Sequence, residues 1–390
     1  MRYICPIIPP ITQQDDWQTF VDYFNDQAEN SDEIYIASGY ASRDSLKDLD
    51  DIVQNNNIGH IVLVLGMYVI EGFPEAIYNS AIRLNDDWLS HGIGEIRVTT
   101  SMKYHGKIYV FRKNGETISA CLGSANLGTL HPVDRQFEMS VAFDEKDCCA
   151  ELYDHVLGMC DEPLSINIKN LSNPKIVRAE SDKLDGVDGV EDVSDKDFQR
   201  TYANCTDIEF DIPLKVPGIP GDANDYMKSN INKAYAKGRL NTKTGEVQER
   251  GWWETEVVVS RATTSDPNYP DQGVPFWVIT DDKKKFLMHA SGTNKKNFES
   301  HTDLKILGYW LKGRLVAAGI VDPVDSPSQD LLLADPADSD KYKKCHGVIT
   351  YEKLQHYGRT SLSFIKTNSK MNDDGGIPRD VWILSFSPKS

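Results

Sequence analysis

The sequence of 390 residues lacks long apolar stretches. No apolar run approaches the roughly 20 residues that a membrane-spanning helix needs, and residues 1–6 do not show the charged-then-apolar layout of a secretory signal. We therefore expect a cytoplasmic protein without a membrane partner. The length is sufficient for two domains of ordinary size, each with a hydrophobic core of its own.

Cysteine is scarce and shows no metal-binding pattern. The chain has seven cysteines, which is an odd number, and none of them forms a C-x-x-C pair. Because structural zinc sites need ligands at characteristic spacings, we expect reduced thiols and no cysteine-bound metal. The pattern G-x-x-x-x-G-K-[S/T] is also missing, so the chain cannot supply a P-loop ATPase itself. No cofactor is expected.

Acidic residues outnumber basic ones, and the formal net charge is −17. The excess is uneven, because residues 1–170 contain 12 Lys and Arg against 26 Asp and Glu, whereas residues 201–390 contain 25 of each. The basic residues of the second half cluster around 233–250, 283–296 and 312–314. A neutral domain with local basic clusters can bind one face of a nucleic acid, while an acidic domain resists loose association with it.

One constellation of residues predicts a chemistry. His105 and Lys107 form an H-x-K triplet, residues 123–126 read G-S-A-N, and Glu138 follows twelve residues after Asn126. An imidazole can attack phosphorus, an ammonium and an amide can hold the non-bridging oxygens, and a carboxylate can fix the imidazole tautomer. Each part also lies in or beside a strand-like segment, and strand ends hold catalytic groups rigidly. The pattern therefore indicates phosphodiester chemistry with a histidine nucleophile.

These residues resemble the motif of the phospholipase D superfamily, which is H-x-K followed by G-S-x-N and a later acidic residue. The resemblance covers about residues 1–165 and implies that five residues are catalytic: His105, Lys107, Ser124, Asn126 and Glu138. The superfamily motif also has an aspartate five residues after the lysine, where this chain has Arg112. Because that aspartate mostly orders a loop, Arg112 indicates a divergent branch rather than an inactive site.

The chain contains the H-x-K triplet once, since no other histidine is followed by lysine two residues later. A phosphohistidine mechanism uses one histidine to attack phosphorus and a second to protonate the leaving oxygen, so one chain carries half a site. Single-motif chains of the superfamily are similar to homodimers with a site on the two-fold axis. The resemblance thus implies a homodimer with one shared active site. No metal site is expected, because lysines supply the positive charge.

The first domain alternates between helical and strand-like patterns. Helices are predicted over 15–27, 42–54, 74–90 and 146–159, and strands over 34–37, 61–65 and 95–98, followed by a strand pair that turns at Asn114-Gly115. Helices between buried strands indicate an α/β domain, a mixed sheet with helices on both faces, over residues 1–170.

Residues 171–200 differ in composition from the rest of the chain. They are acidic, contain repeated Gly-Val pairs and have few large apolar groups. This composition predicts a solvated acidic linker. A second interpretation stays open, in which the segment imitates DNA, occupies a basic cleft and restrains the nuclease.

Residues 201–390 are predicted to form a mainly-β pseudobarrel with short helices. The strand patterns cover 206–212, 254–260, 276–280, 285–290, 361–366 and 381–386, and the helical patterns 223–236, 302–318 and 351–356. Segments within 276–315 and 357–360 are similar to the C-terminal domain of NgoFVII-type restriction endonucleases, a DNA-recognition domain related to the plant B3 domain. Residues 238–250 resemble its first recognition loop, although Thr242-Lys243 replace the usual Trp-Gly.

The resemblance implies that two loops straddle the major groove of double-stranded DNA, where each base pair shows a distinct pattern of donors and acceptors. Arginine suits guanine, asparagine suits adenine, and lysine more often contacts phosphates. The candidate DNA contacts are Arg239, Asn241, Arg250, Lys295, Lys296, Asn297, Lys312, Arg314 and Arg359. The tryptophans of this half are expected in its core.

The two resemblances together imply a type II restriction endonuclease that cleaves DNA through a covalent phosphohistidine. They also imply a companion DNA methyltransferase, and some relatives act with a separate ATP-driven, helicase-like subunit. Two alternatives stay open, namely a non-nucleolytic DNA-binding regulator and a nuclease subunit that depends on such an ATPase. A lipid phosphodiesterase is disfavoured, because nothing in the sequence is membrane-active or secreted.

Overall fold

The computed structural model describes residues 2–5, 18–131, 138–178, 180–240, 242, 245–338 and 340–388. The chain divides into two compact units, Met1–Arg178 and Ala179–Ser390, called unit 1 and unit 2 below. Each unit has its own main sheet and its own hydrophobic core. Within the described ranges, no helix has the length and apolar character needed to cross a bilayer.

Unit 1 is an α/β domain with a mixed sheet, which confirms the predicted fold class. Its strands are β1 (Arg2–Cys5), β2 (Gln18–Thr19), β3 (Glu33–Ser38), β4 (His60–Leu65), β5 (Phe73–Pro74), β6 (Gly94–Thr99), β7 (Lys107–Lys113), β8 (Glu116–Gly123), β9 (Ser140–Phe143), β10 (Ser165–Asn167) and β11 (Ile176–Val177). Its helices are α1 (Phe20–Glu29), α2 (Arg43–Asn55), α3 (Tyr68–Glu71), α4 (Glu75–His91) and α5 (Lys146–Met159).

Within the described part of unit 1, the main sheet has nine strands in the order β10-β6-β4-β3-β7-β8-β9-β1-β2. The pairs β3–β4 and β4–β6 are parallel, and the pairs β3–β7, β7–β8 and β8–β9 are antiparallel. One face is covered by α1, α2 and α4, which bury Phe24, Leu49 and Trp88. The other face is covered by α5, which buries Cys149 and Val156. Helices on both faces leave the strand ends as the accessible part of the sheet.

Unit 2 is built mainly from strands and short helices. Its strands are β12 (Val190–Asp192), β13 (Cys205–Pro213), β14 (Arg239–Leu240), β15 (Val247–Gln248), β16 (Val257–Val258), β17 (Phe276–Thr280), β18 (Lys284–Ser291), β19 (Asn297–Ser300), β20 (Ser361–Asn372) and β21 (Pro378–Ser385). Its helices are α6 (Asp195–Tyr202), α7 (Arg261–Thr264), α8 (Lys305–Ala317), α9 (Pro327–Asp330) and α10 (Tyr351–Tyr357).

The main sheet of unit 2 follows the order β13-β20-β21-β17-β18-β19-β16, and β12 also pairs with β18. The pair β17–β21 is parallel, while its neighbours are antiparallel. The core contains large aromatic side chains, and the rings of Phe364 and Trp382 stack with centroids 4.1 Å apart. Helix α8 adds Trp310 and Leu311 to the same core. The hairpin β14–β15 pairs only with itself among the described strands.

The segment predicted as a solvated linker contains ordered structure that belongs to unit 2. Leu184 is 4% exposed within the core of unit 2, and β12 pairs with β18 from Val190 to Asp192. The acidic residues of the segment form ion pairs with the basic cluster at the start of β18: Lys283–Asp195, Lys284–Asp185, Lys284–Asp192 and Lys285–Glu191. Composition alone did not reveal this arrangement, because the stabilising charges lie about a hundred residues away in the sequence.

The predicted helix over 223–236 is replaced by short 3-10 turns, Tyr226–Lys228 and Asn230–Tyr235. Asn230 has a positive φ of 53° and its side chain bonds the backbone of Lys215 and Val258. The Asn232 side chain accepts from Ile349 N–H at 3.0 Å and donates to Ile349 O at 2.8 Å. Side-chain amides that bond distant backbone compete with helix formation, which explains the difference.

Candidate active site and nucleic-acid interface

The structure brings the predicted catalytic segments to one end of the unit 1 sheet. Lys107 opens β7 opposite Ser38, the last residue of β3. Gly123 closes β8 opposite Ser140, which opens β9. Because the antiparallel pairs β7–β8 and β8–β9 place these ends side by side, the H-x-K triplet and the G-S-A-N turn share one edge.

The Lys107 ammonium lies at the centre of this edge. Its Nζ is 2.5 Å from the backbone oxygen of His105 and 2.9 Å from the Nδ1 atom of the His105 ring. Lys107 is 4% exposed, whereas His105 is exposed to solvent. Burial lowers the pKa of Lys107, and the negative charge of Glu138 acts in the opposite direction. The carboxylate therefore helps to keep the buried amine protonated.

The G-S pair fixes how β8 meets the chain before β9. A β-carbon on Gly123 would lie 2.3 Å from Ser140 Oγ and 2.4 Å from its Cα, so only glycine fits this approach. The Ser124 hydroxyl accepts from the Met139 N–H at 3.0 Å, and the Ser124 N–H donates to Met139 O at 3.0 Å. Ser124 thus ties the turn to the segment that carries Glu138.

Asn126 is oriented by a residue that the sequence analysis did not identify. The Tyr40 N–H donates to Asn126 Oδ1 at 3.2 Å, which leaves the amide nitrogen of Asn126 as the donor available to a substrate. The Tyr40 ring also lies edge-on to the His105 ring, with centroids 5.6 Å apart. Tyr40 follows the end of β3, the strand next to β7, and this position beside the motif strand was the available signal.

Tyr40 belongs to a short polar network beside the imidazole. Its hydroxyl donates to Glu71 at 2.7 Å, and this hydrogen bond raises the pKa of Tyr40. Lys103 Nζ lies 3.1 Å from the other carboxylate oxygen of Glu71. The hydrogen bond from Tyr40 has the larger effect in lowering the pKa of Glu71, and the contact with Lys103 adds to it. The network thus includes a second lysine, Lys103, which lies just before the H-x-K triplet in the sequence.

Arg112, which replaces the aspartate of the superfamily motif, lies away from the catalytic edge. It lies near the far end of β7, where its Nη1 is 2.5 Å from Glu33 and its guanidinium lies over the Tyr153 ring at 4.2 Å. His131, which follows the G-S-A-N turn by five residues, has its Nδ1 2.9 Å from Asp48 on α2. Each of these side chains is therefore engaged with a neighbour within unit 1.

The first predicted recognition loop contains the hairpin β14–β15 and the turn that follows it. Arg239 opens β14 and is half exposed, whereas Arg250 is largely buried. Both guanidinium groups contact the same carboxylate oxygen of Glu254, Arg239 at 2.8 Å and Arg250 at 3.1 Å. The structure therefore brings these two candidates together around a glutamate that the sequence analysis did not select.

The second predicted loop joins β18 to β19 and packs beside the continuation of the first. The backbone oxygen of Lys296 accepts from Val259 N–H at 2.8 Å, and Asn297 pairs with Val258 between β19 and β16. Lys295 has a positive φ of 58° and contacts Asp271 at 3.3 Å, while the Lys296 side chain is exposed. The second loop thus packs against β16, the strand that follows the first loop in the sequence.

Two of the predicted DNA contacts are corrected by the structure. Lys312 is 0% exposed, and its Nζ donates to the backbone oxygens of Trp252 and Glu254. Arg314 is largely buried and holds Asp281 at 2.5 Å. Lys312 therefore cannot reach a DNA backbone in this structure, and Arg314 is held by Asp281 and Ser387 at the base of α8 rather than beside either predicted loop.

The remaining two candidates are Asn241 and Arg359. Asn241 lies outside the described residues. Arg359 lies between α10 and β20, where its Nε donates to Ser361 O at 2.8 Å. A DNA contact by either residue stays a prediction.

Comparisons with known proteins follow the division into two units. Residues 18–173 match the family model of the NgoFVII restriction endonuclease N-terminal PLD domain, where PLD stands for phospholipase D, and residues 200–334 match that of the NgoFVII C-terminal B3-like DNA-binding domain. Together the models cover about three quarters of the chain. A comparison with curated proteins found no match.

Similar solved structures include NucT from Helicobacter pylori, 11% identical, with a TM-score of 0.28, covering 38% of this chain and 89% of that chain. Another is a phospholipase D family member, Nuc from Salmonella typhimurium, 13% identical, with a TM-score of 0.26, covering 36% of this chain and 86% of that chain. Both TM-scores are low, so the fold assignment rests on the strand order and on the family models.

Burial of Lys312 predicts a pH-dependent stability of unit 2. Burial lowers the pKa of Lys312 to about 7, whereas the unfolded chain titrates near the usual pKa of about 10.4. Between these values the unfolded state binds more protons, so the free energy of unfolding rises with pH, by at most about 1.4 kcal/mol per pH unit for this group. The destabilisation is fully present below pH 7 and disappears above the unfolded pKa.

Urea unfolding at several pH values between 6.5 and 9.5 checks this prediction. The free energy of unfolding of the wild type should rise relative to that of Lys312→Met over this range. Lys296→Met, which removes an exposed lysine of the same unit, should leave the slope unchanged. A difference between wild type and Lys312→Met that stays constant with pH would contradict a neutralised, buried amine.

Proposed function

The chain belongs to the NgoFVII restriction endonuclease family, as a site-specific deoxyribonuclease with a phospholipase D-type nuclease domain and a B3-like DNA-binding domain, and on this premise we propose that His105 is its nucleophile. The observation that carries the proposal is the exposed His105 ring beside the buried Lys107 ammonium, 2.9 Å from Nδ1. We assign the attack on phosphorus to Nε2, which requires the ring proton on Nδ1; in this step the Lys107 ammonium donates to the phosphate instead of to Nδ1, and the Glu138 carboxylate favours the Nδ1–H tautomer.

The reaction proceeds in two displacements. The His105 Nε2 lone pair forms a bond to phosphorus, and the bond from phosphorus to one deoxyribose oxygen breaks as a second histidine protonates that oxygen. A water molecule then attacks the phosphohistidine, its proton passes to the second histidine, and the nitrogen–phosphorus bond breaks to restore the imidazole. The Lys107 ammonium and the Asn126 amide hydrogens stabilise the non-bridging oxygens in both steps. Glu138 supports the charge of Lys107 and orients the imidazole.

The second histidine comes from a second copy of the chain, because this sequence has no other H-x-K triplet. Two chains that meet around a two-fold axis place both copies of His105 on one phosphate, with two lysines and two asparagines around it. The exposed apolar side chains beside the G-S-A-N turn support an interface at this edge, since Leu122 is 41% and Met139 is 40% exposed. Burial of such side chains favours association.

Unit 2 selects the DNA sequence through its two loops. Arg239 and Arg250 present guanidinium groups suited to the acceptor edge of guanine in the major groove. The exposed Lys296 and its neighbours Lys295 and Asn297 supply phosphate and base contacts from the second loop. A domain that is neutral overall binds DNA through such local clusters, while the acidic unit 1 disfavours unspecific association.

The proposed setting of the enzyme is the cytoplasm, with double-stranded DNA as substrate. A companion DNA methyltransferase would protect the same sequence in the host. A separate ATP-driven, helicase-like subunit is a further proposed partner, as the resemblance implies; such a subunit would have to supply the P-loop motif that this sequence does not contain.

Cleavage is expected to continue in excess EDTA. The proposal takes its nucleophile from His105 and its positive charge from Lys107, and among the described residues no group of three or more His, Cys, Asp or Glu side chains is arranged to hold a metal ion. Plasmid cleavage with EDTA, with added Mg²⁺ and with neither should proceed at similar rates. A magnesium-dependent endonuclease in the same buffers is the control. Loss of cleavage in EDTA with recovery in Mg²⁺ would refute the histidine-nucleophile proposal.

Mixed dimers test whether two chains share one site. His105→Ala should abolish cleavage and leave dimerisation and specific binding intact, because the imidazole is exposed and its loss opens no cavity. Heterodimers of wild type with His105→Ala, isolated through different affinity tags, should be at least 100-fold slower than wild type, since one imidazole cannot both attack and protonate. Heterodimers with His91→Ala, an exposed histidine at the end of α4, should keep full activity. Half activity in the first mixture would mean a complete site in each chain.

A further inference from the structure

One carboxylate in unit 2 holds both arginines to which DNA reading is assigned. Glu254 Oε2 lies 2.8 Å from Arg239 Nη2 and 3.1 Å from Arg250 Nη1. The Glu254 side chain is 15% exposed, and that of Arg250 is 18% exposed. Arg239 opens the hairpin β14–β15 and Arg250 follows it, so the carboxylate joins the two ends of the first loop.

The turn that carries Glu254 is fixed to α8. The Glu254 N–H donates to Gly251 O at 3.0 Å, which closes a four-residue turn. Lys312 donates to Trp252 O and, at 3.4 Å, to Glu254 O. A β-carbon on Gly308 would lie 1.8 Å from Trp253 O, so the helix backbone and the turn are in direct contact. The position of Glu254 is thus set by the core of unit 2 rather than by the loop.

The geometry leaves donors of both arginines for a ligand. A guanidinium has five N–H donors, and Glu254 uses one nitrogen of each group. The Nε of Arg250 is buried and has no hydrogen-bond partner among the described residues.

We propose that Glu254 is a positioning residue for DNA specificity, which holds the guanidinium groups of Arg239 and Arg250 in the orientation that reads guanine. The inference rests on the proposed reading role of the two arginines. Without the carboxylate, two long cationic side chains would repel each other and lose their common orientation, so part of the binding energy would be spent on ordering them. With it, they meet the base edges already oriented.

The test compares Glu254→Gln with Glu256→Gln in the full-length protein. Glu256 is a matched control, because it is two residues away, 17% exposed and paired with a cation, Lys233, outside the proposed reading pair. Competition binding measures the preference for the specific over a scrambled duplex. Glu254→Gln should reduce this preference about tenfold, the equivalent of one oriented base contact, while affinity for the scrambled duplex is unchanged or higher. Glu256→Gln should behave as wild type.

A base analogue adds a measurement that would be unaffected if Glu254 only stabilised the fold. Replacing each guanine of the site in turn by 7-deazaguanine removes the N7 acceptor that a bidentate arginine uses. At one or two of these positions the wild type should bind the 7-deazaguanine duplex more weakly than the guanine duplex. Glu254→Gln, whose arginines have already lost their orientation, should bind the two duplexes with nearly equal affinity. Thermal melting verifies the fold. If Glu254→Gln does not fold, Glu254→Asp, which keeps the charge but withdraws its oxygens, replaces it with the same expectation.

Failure of the inference can be separated from failure of the proposed function. If Arg239→Ala and Arg250→Ala keep the specific preference, the reading role itself is wrong. If both arginine variants lose the preference but Glu254→Gln keeps it, the positioning role is refuted. An equal gain of affinity for both duplexes in Glu254→Gln would also overturn it, because Glu254 would then only mask the arginines.

Discussion

The nuclease half depends on one contact, the buried ammonium of Lys107 beside the imidazole of His105. A cation held away from water interacts strongly with a phosphate, but burial also favours loss of its proton. The structure meets both requirements at the ends of adjacent strands. The backbone oxygen of His105 accepts a hydrogen bond from the amine, Glu138 supports its charge, and Gly123 lets the neighbouring strands close around the site.

In both units an acidic side chain acts on the cations for which a function is proposed. In unit 1 the charge of Glu138 acts on Lys107, and in unit 2 Glu254 holds Arg239 and Arg250. The acidic segment before α6 similarly pairs with the basic start of β18. The net charge of −17 is therefore compatible with DNA binding. What matters is the local arrangement of cations, since charges more than about 10 Å apart are screened at ordinary salt concentrations.

The sequence predicted what depends on local pattern. Alternating and continuous apolar runs predicted the strands, and this prediction placed the H-x-K triplet and the G-S-A-N turn at strand ends. It could not predict that Lys312 is buried, since its backbone partners in the turn at Trp252 are sixty residues away. Tyr40 was missed for the same reason, because its contact with Asn126 arises only when β3 and β7 pair. Buried asparagine networks likewise replaced the helix expected over 223–236.

Trapping the covalent intermediate tests the central claim most directly. In single turnover with excess enzyme chains over labelled specific DNA, an alkaline quench should preserve a DNA–protein adduct, since phosphohistidine survives base and hydrolyses in acid. The account predicts attachment at His105 and, in a second experiment with DNA in excess over chains, no more than one adduct for every two chains. Attachment at another residue, or one adduct per chain, would contradict a site that two copies of His105 share.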